Sequence, residues 1–118
     1  MIEKKVDIMY KSLLEEGMKV YRKQFENIKI EDKTIEYWKN AATLYDTFNK
    51  REKEVFFDII EQVIIDTTAS VFGLLEVSSS LPEGGVFETD IKIDGIDTEH
   101  LLQDYFLSIV FEKKKEQM

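Results

Sequence analysis

The sequence has no cysteine, and it has only one histidine and one proline among its 118 residues. Without cysteine there can be no disulfide, no thiolate zinc site and no cysteine nucleophile. A single histidine excludes any metal site that takes several histidines from one chain. Because only five glycines and one proline interrupt the chain, long helices are favoured. These absences exclude many catalytic classes and point to a helical protein.

Positive charge is also scarce, with 16 Lys and Arg against 24 Asp and Glu, a formal net charge of -8. Nucleic-acid binding depends on Lys and Arg that neutralise phosphates, so we expect no nucleic-acid partner. The charged start, Met1–Asp7, lacks the apolar run of a secretory signal. The most apolar stretch, Val55–Leu75, is interrupted by acidic side chains and does not suit a membrane span. We therefore predict a cytoplasmic protein without a membrane partner.

Apolar residues are abundant enough for a folded core, since they make up 43% of the sequence and 12% of it is aromatic. A length of 118 residues also lies within the usual size of one domain. We therefore predict a single folded domain over residues 1–118 rather than a disordered chain.

The spacing of the apolar residues predicts four helices. We expect them at about residues 2–25, 33–48, 50–75 and 98–115. Asp32 or Thr34 could cap the second helix, and Asn49 with Glu52 resembles a capping box for the third. Gly17 lies inside the first helix, where it could mark a kink, a close helix crossing or a tolerated surface position.

The third helix carries apolar residues over an unusually wide arc, so we expect it at the centre of the fold. Its β-branched run Val63-Ile64-Ile65 would also suit a strand. The length of the periodic segment favours the helix. The aromatic residues of the first two helices recur at helical spacing, so we expect most of them in the core.

Residues 76–96 differ in character from the rest of the chain and predict a loop followed by a strand. Residues 78–85, with three serines, a proline and two glycines, have the composition of a loop. Val86–Ile93 alternates between apolar and polar residues as a half-buried strand does. Asp94-Gly95 suits a tight turn, with a partner strand from Leu75–Ser79 or from Ile96. We therefore predict a mainly α, single-domain helical bundle with a short β-hairpin before its last helix.

The start of the last helix is expected at Asp97. Its side chain could serve as the N-cap, and Glu99 would then lie near the positive end of the helix dipole. Lys113-Lys114-Lys115 would lie at the other end of the helix, where cations are favoured.

Catalytic chemistry has few candidates in this sequence. His100 and Asp104 could share a helix face, but no nucleophile or oxyanion motif accompanies them, so we expect a surface histidine. Asp58, Glu61 and Asp66 are weak metal candidates on the third helix, because carboxylates at such spacing can bind Mg²⁺ or Mn²⁺. The paired motif on a second helix that such sites need is missing. We therefore predict no catalytic residue and no cofactor, with a metal-dependent helical enzyme as the alternative.

The charge is divided unequally along the chain. Residues 1–53 carry 12 basic and 10 acidic side chains, net +2, and residues 54–118 carry 4 basic and 14 acidic side chains, net -10. Like charges at this density repel one another unless something positive faces them. We expect the following residues to form one acidic binding surface: Asp90, Asp94, Asp97, Glu99 and Asp104.

The acidic surface predicts a protein-binding module that engages a basic protein, because complementary charge steers such partners together. Small acidic immunity proteins that block basic toxins work by the same physics, and the likeness is limited to size, charge and helical content. Two alternatives remain open at this point. The acidity could only solubilise the chain, or the module could self-associate as a homodimer that sets a basic half against an acidic half.

Overall fold

The structure, a computed structural model, describes residues 1–76 and 88–117. It is mainly α-helical with one short antiparallel hairpin before the last helix, as the sequence predicts. The elements in chain order are α1 (Ile2–Tyr10), a π-helical segment (Lys11–Glu16), α2 (Gly17–Asn27), α3 (Glu36–Asp46), α4 (Lys50–Glu76), β1 (Lys92–Ile93), β2 (Ile96–Asp97) and α5 (Leu102–Glu116). The loop expected over residues 78–85 lies outside the described residues, as do Val86 and Phe87.

The first predicted helix is one continuous helical run, and it extends two residues beyond its expected end to Asn27. Its middle is π-helical, because the Gly17 amide donates to the carbonyl of Ser12, five residues back. A Cβ built on Gly17 would meet only that carbonyl, at 3.7 Å. Gly17 therefore ends a π segment, and no other helix of the described residues 1–76 and 88–117 comes within 4 Å of this Cβ position.

The two middle helices differ in how they begin. The capping box of α4 is confirmed, since the Asn49 amide donates to Glu52 at 2.9 Å and the Glu52 amide donates to Asn49 at 2.8 Å. The predicted cap of α3 is wrong, because α3 starts at Glu36 with Ile35 at the N-cap and no side-chain cap. Thr34 instead closes a turn by accepting a hydrogen bond from the Glu31 amide.

The hairpin is shorter than the predicted strand, and residues 88–91 are not in a strand. Ile96 supplies the partner strand, with Ile93 opposite Ile96 in the register. Asp94 and Gly95 both have positive φ, 52° and 76°, as a two-residue turn of the hairpin type requires. The predicted turn at Asp94-Gly95 is therefore confirmed.

The last helix starts later than predicted and is capped from elsewhere in the chain. The Leu102 and Gln103 amides donate to the two carboxylate oxygens of Glu76 at 2.7 and 2.9 Å. The prediction of Asp97 as N-cap is wrong, because the chain makes a further turn between Asp97 and α5. Glu76, at the end of α4 and only 7% exposed, satisfies amides that begin α5 26 residues later.

Two cores lie along α4, and Ile64 packs against both of them. The first, which we call the terminal core, joins both ends of the chain. Its buried members are Ile2, Val6, Tyr10, Leu14, Ile65, Ala69, Leu102, Phe106 and Val110. The second, the aromatic core, joins α2, α3 and the first half of α4. Its buried members are Met18, Phe25, Tyr45 and Phe57, with Trp38, Phe48 and Phe56 packed against them.

The prediction that α4 is central holds for one of its faces only. Its inner face contributes to both cores, whereas several large apolar side chains elsewhere on the helix are exposed. These are Val55, Ile59, Val63, Val71, Leu74 and Leu75. No helix within residues 1–76 and 88–117 is long and apolar enough to cross a membrane.

Candidate protein-binding surface

Four of the five predicted surface carboxylates lie in one short part of the chain. Asp94 and Asp97 belong to the hairpin, Asp90 precedes it, and Glu99 follows it in the next turn. All four side chains are exposed. Asp104 is also exposed but lies apart from them, in the first turn of α5. We call the four residues the hairpin acids.

The hairpin acids are partly neutralised by two lysines. Lys5 of α1 forms an ion pair with Asp94. Lys5 also donates a hydrogen bond to Asp94 within this pair. The hydrogen bond and the charge of Lys5 hold the pKa of Asp94 below its usual value. Lys92 lies directly opposite Asp97 across the strands, a favourable placement for unlike charges. Asp90 and Glu99, in contrast, form no ion pair with any residue of ranges 1–76 and 88–117.

Glu3 adds a carboxylate that sequence reasoning did not assign to this surface. Burial raises the pKa of Tyr105, and the charge of Glu3, its hydrogen bond and the charge of Glu99 raise it further. Glu3, Asp97 and Glu99 also line one shallow depression. No local pattern could have indicated this, because almost a hundred residues separate Glu3 from Glu99.

The backbone that carries the hairpin acids is held in place by hydrogen bonds. Thr98, only 1% exposed, donates to the carbonyl of Ile91 through both its amide and its hydroxyl, each at 3.0 Å. The Leu101 amide donates to the Thr98 carbonyl at 3.0 Å. Asp97 accepts a hydrogen bond from the Glu99 amide at 2.7 Å. The carboxylates are therefore presented from a fixed backbone.

The only histidine is not paired with Asp104 on a helix. His100 lies in the turn before α5 with φ 57°, and its Nε2 is 3.4 Å from the carbonyl oxygen of Thr89. It is exposed, as expected, but the positive φ of Glu99 and His100 excludes the first helical turn that the sequence suggested.

The weak metal candidates also stay apart from other possible ligands. Asp58 and Asp66 are exposed and Glu61 is half-buried, all on α4. Asp66 accepts a hydrogen bond from the Gln62 side chain at 2.9 Å. Across the parts of the chain that the structure describes, no three His, Asp or Glu residues are grouped to hold a metal ion.

Helices α4 and α5 pack closely against each other in antiparallel directions. The Gln103 side chain donates to the Ala69 carbonyl at 2.9 Å, and Lys114 donates to the Gln62 side chain at 3.1 Å. A Cβ at Gly73 would lie 2.6 Å from Nε2 of Gln103. The glycine therefore permits this close approach, which the sequence did not reveal.

Large apolar side chains are exposed on both helices of this pair. Ile59 and Val63 are 58% and 56% exposed, and Leu107 and Phe111 are 42% and 65% exposed. Helical periodicity puts the first two on the flank of α4 nearest α5 and the last two on the flank of α5 nearest α4. We call these four side chains the outer face. The sequence predicted a central position for α4, whereas Ile59 and Val63 on this helix are exposed.

Carboxylates border the outer face. Asp104 and Glu112 line one surface depression together with Leu107 and Phe111. Asp66 lies on α4 one turn after Gln62, beside Val63. Two cations lie toward one end of this side: Lys114, which donates to Gln62 at 3.1 Å, and Lys115, one turn after Phe111. An apolar surface with an acidic rim is complementary to a basic amphipathic segment.

Comparison with protein-family models, with curated proteins and with solved structures finds no match for this chain. The function must therefore be argued from the residues and their geometry.

Proposed function

We propose that this protein is a non-catalytic protein-binding module, and that it takes a basic amphipathic helix of another protein on its outer face. One observation carries the proposal: four large apolar side chains on two rigid helices are exposed and bordered by carboxylates. The hairpin acids attract the partner from a distance and raise its rate of association, since complementary charge acts mainly on that rate.

Burial of the outer face would supply the free energy of binding. Full burial of a large apolar side chain is worth about 1.5–3 kcal/mol. Because Ile59, Val63, Leu107 and Phe111 are each about half exposed, each offers of the order of 1 kcal/mol. An exposed phenylalanine such as Phe111 is a common anchor at protein interfaces.

Charge complementarity favours a basic partner over a second copy of this chain. In a two-fold dimer the same patch faces itself. Asp66, Asp104 and Glu112 would then approach the same set of carboxylates in the other copy, and like charges close together in an interface are unfavourable. A helix with lysines and arginines beside its apolar face would instead pair with each of these carboxylates.

The more specific form of this proposal is an immunity or inhibitor protein that acts on a basic toxin in the cytoplasm. It is supported by the small size, the helical fold and the net charge of -8. A partner of that kind would bring both the positive charge and the apolar segment that the outer face fits.

The proposal is tested with a fluorescent helical peptide of about five turns that carries leucine on one face and lysine on the other. Leu107→Ser combined with Phe111→Ser should weaken its binding about tenfold or more. Ile8→Ser combined with Ile30→Ser is the matched control, because both residues are exposed and lie outside the outer face. Asp90→Asn with Glu99→Gln should slow association and flatten its salt dependence.

Three results would overturn the proposal. The peptide could bind equally well when glutamate replaces lysine or when its sequence is scrambled. The Leu107 and Phe111 variant could bind as well as its control. Sedimentation could instead detect a dimer that this variant abolishes. The outer face would then bind a second copy of the chain.

A further inference from the structure

A separate groove lies between the end of α2 and the start of α3, in the half of the chain with net positive charge. It has a volume of about 520 Å³, within the usual range for a small-molecule site. Its apolar side chains are Val20, Ile28, Ile35 and Trp38. The outer face and the hairpin acids contribute no residue to it.

The groove has a rigid floor. The Trp38 ring packs against Phe25 of the aromatic core, with their centroids 5.6 Å apart. Val20 and Ile35 form more open walls and are 56% and 62% exposed. A ligand would therefore cover apolar surface that water now contacts, without displacing any part of the aromatic core.

Among residues 1–76 and 88–117, two lysines and no carboxylate line this groove. Lys23 and Lys29 are both exposed members of its lining. Neither ammonium group forms an ion pair with any residue of ranges 1–76 and 88–117. The only other polar members are uncharged: Gln24, Asn27 and Thr34.

The connection between α2 and α3 is held in shape by local hydrogen bonds. The Thr34 amide donates to the Glu31 carbonyl at 3.0 Å, and the Glu31 amide donates to the Thr34 hydroxyl at 2.9 Å. The Asn27 side chain donates to the Lys23 carbonyl at 2.9 Å. Both walls of the groove therefore exist before any ligand binds, which lowers the entropic cost of binding.

We propose that this groove binds a small amphiphilic anion, specifically a free medium-chain fatty carboxylate. The acyl chain covers Val20, Ile28, Ile35 and Trp38, and the carboxylate accepts hydrogen bonds from Lys23 and Lys29. The combination of an apolar floor with two cations free of ion pairs selects a negative head group on an apolar chain. This site is additional to the proposed protein-binding surface and does not depend on it.

Trp38 is the only tryptophan, so its fluorescence reports on this groove directly. Titration with laurate below its micelle concentration should shift the emission to shorter wavelength and saturate at one laurate per chain. Lys23→Gln combined with Lys29→Gln should weaken binding about tenfold or more, the loss expected from a charge-assisted hydrogen bond. Lys33→Gln combined with Lys39→Gln is the matched control, since neither residue lines the groove.

Four outcomes would overturn the proposal. Dodecanol could bind as tightly as laurate, which would exclude a role for the carboxylate. The Lys23 and Lys29 variant could match its control. The emission of Trp38 could stay unchanged throughout the titration. The protein could sediment with vesicles of anionic phospholipid more readily than it binds laurate, which would make the groove a membrane contact.

Discussion

The terminal core and the aromatic core differ in how far apart their residues lie in the sequence. The aromatic core draws its buried residues from Met18 to Phe57, consecutive helices joined by short connections. The terminal core brings Ile2 together with Val110. One core therefore follows from local spacing, whereas the other requires both ends of the chain to meet on α4.

The two cores also differ in their chemistry. In the aromatic core, Phe25 packs edge-on against Phe56 with centroids 4.9 Å apart, and Tyr45 packs against Phe57 at 5.8 Å. Aromatic pairs at these distances contribute beyond their buried area. The terminal core is mainly aliphatic, with Tyr10 and Phe106 at 6.1 Å. The aromatic core is therefore stabilised partly by ring–ring contacts, whereas the terminal core depends mainly on buried aliphatic area.

The largest expected effect comes from removing one phenyl ring from each core. Phe106→Ala and Phe57→Ala should each lower the free energy of unfolding by about 3–5 kcal/mol, because these side chains are 0% and 1% exposed. Hydrogen exchange should then separate the two variants. Phe106→Ala should loosen α1, the hairpin and α5, and Phe57→Ala should loosen α2 and α3.

The milder variants Phe106→Leu and Phe57→Leu should give the same two exchange patterns with smaller losses of stability. If both positions accelerate exchange over the same residues, the two cores form one cooperative unit. The distinction between them would then be merely a matter of composition.

The next largest effect is expected at the cap that Glu76 of α4 provides for the start of α5. Glu76→Ala leaves two amides at the start of α5 without their acceptor, and we expect a loss of about 2–4 kcal/mol in chemical denaturation. Glu76→Gln retains one carbonyl oxygen as an acceptor and should lose less. Asp58→Ala, on an exposed position of the same helix, is the control. Equal stability of Glu76→Ala and Asp58→Ala would contradict a capping role.

The local cap beside the aromatic core should matter less. Asn49→Ala removes the side-chain oxygen that accepts from the Glu52 amide, at an exposed site where water can partly replace it. We expect a loss of about 1 kcal/mol, measured as a lower denaturation midpoint. A loss larger than that of Glu76→Ala would reverse the order of the two caps.

The smallest effect concerns the ion pair that ties the hairpin to α1. Because Lys5 lowers the pKa of Asp94, the pair stabilises the fold above the unfolded pKa, about 3.9. That contribution is lost as the pH falls through the lower folded pKa. Lys5→Gln should therefore lower Tm near neutral pH, and its difference from the native chain should vanish in stronger acid. Lys4→Gln is the control, because it removes the same charge from the neighbouring exposed position. If Lys4→Gln and Lys5→Gln changed Tm equally at every pH, the ion pair between Lys5 and Asp94 would contribute nothing to stability.

The candidate site was predictable only in part. The excess of acidic residues after Lys53 is visible in the sequence, and the pair Asp94-Gly95 predicts a tight turn. The ion pair with Lys5 and the contribution of Glu3 were not predictable, because α1 meets the hairpin only in the tertiary structure. The outer face was missed because apolar periodicity does not say how many sides of a helix are covered.

The sequence by itself determined the helices, the capping box at Asn49, the hairpin turn and the unequal charge, because each depends on residues a few positions apart. The tertiary structure alone decided that Glu76 caps α5, that α4 keeps one apolar flank exposed, and that both chain ends share one core. Such features depend on which surfaces meet, and that is settled by the packing of the whole chain rather than by local preference.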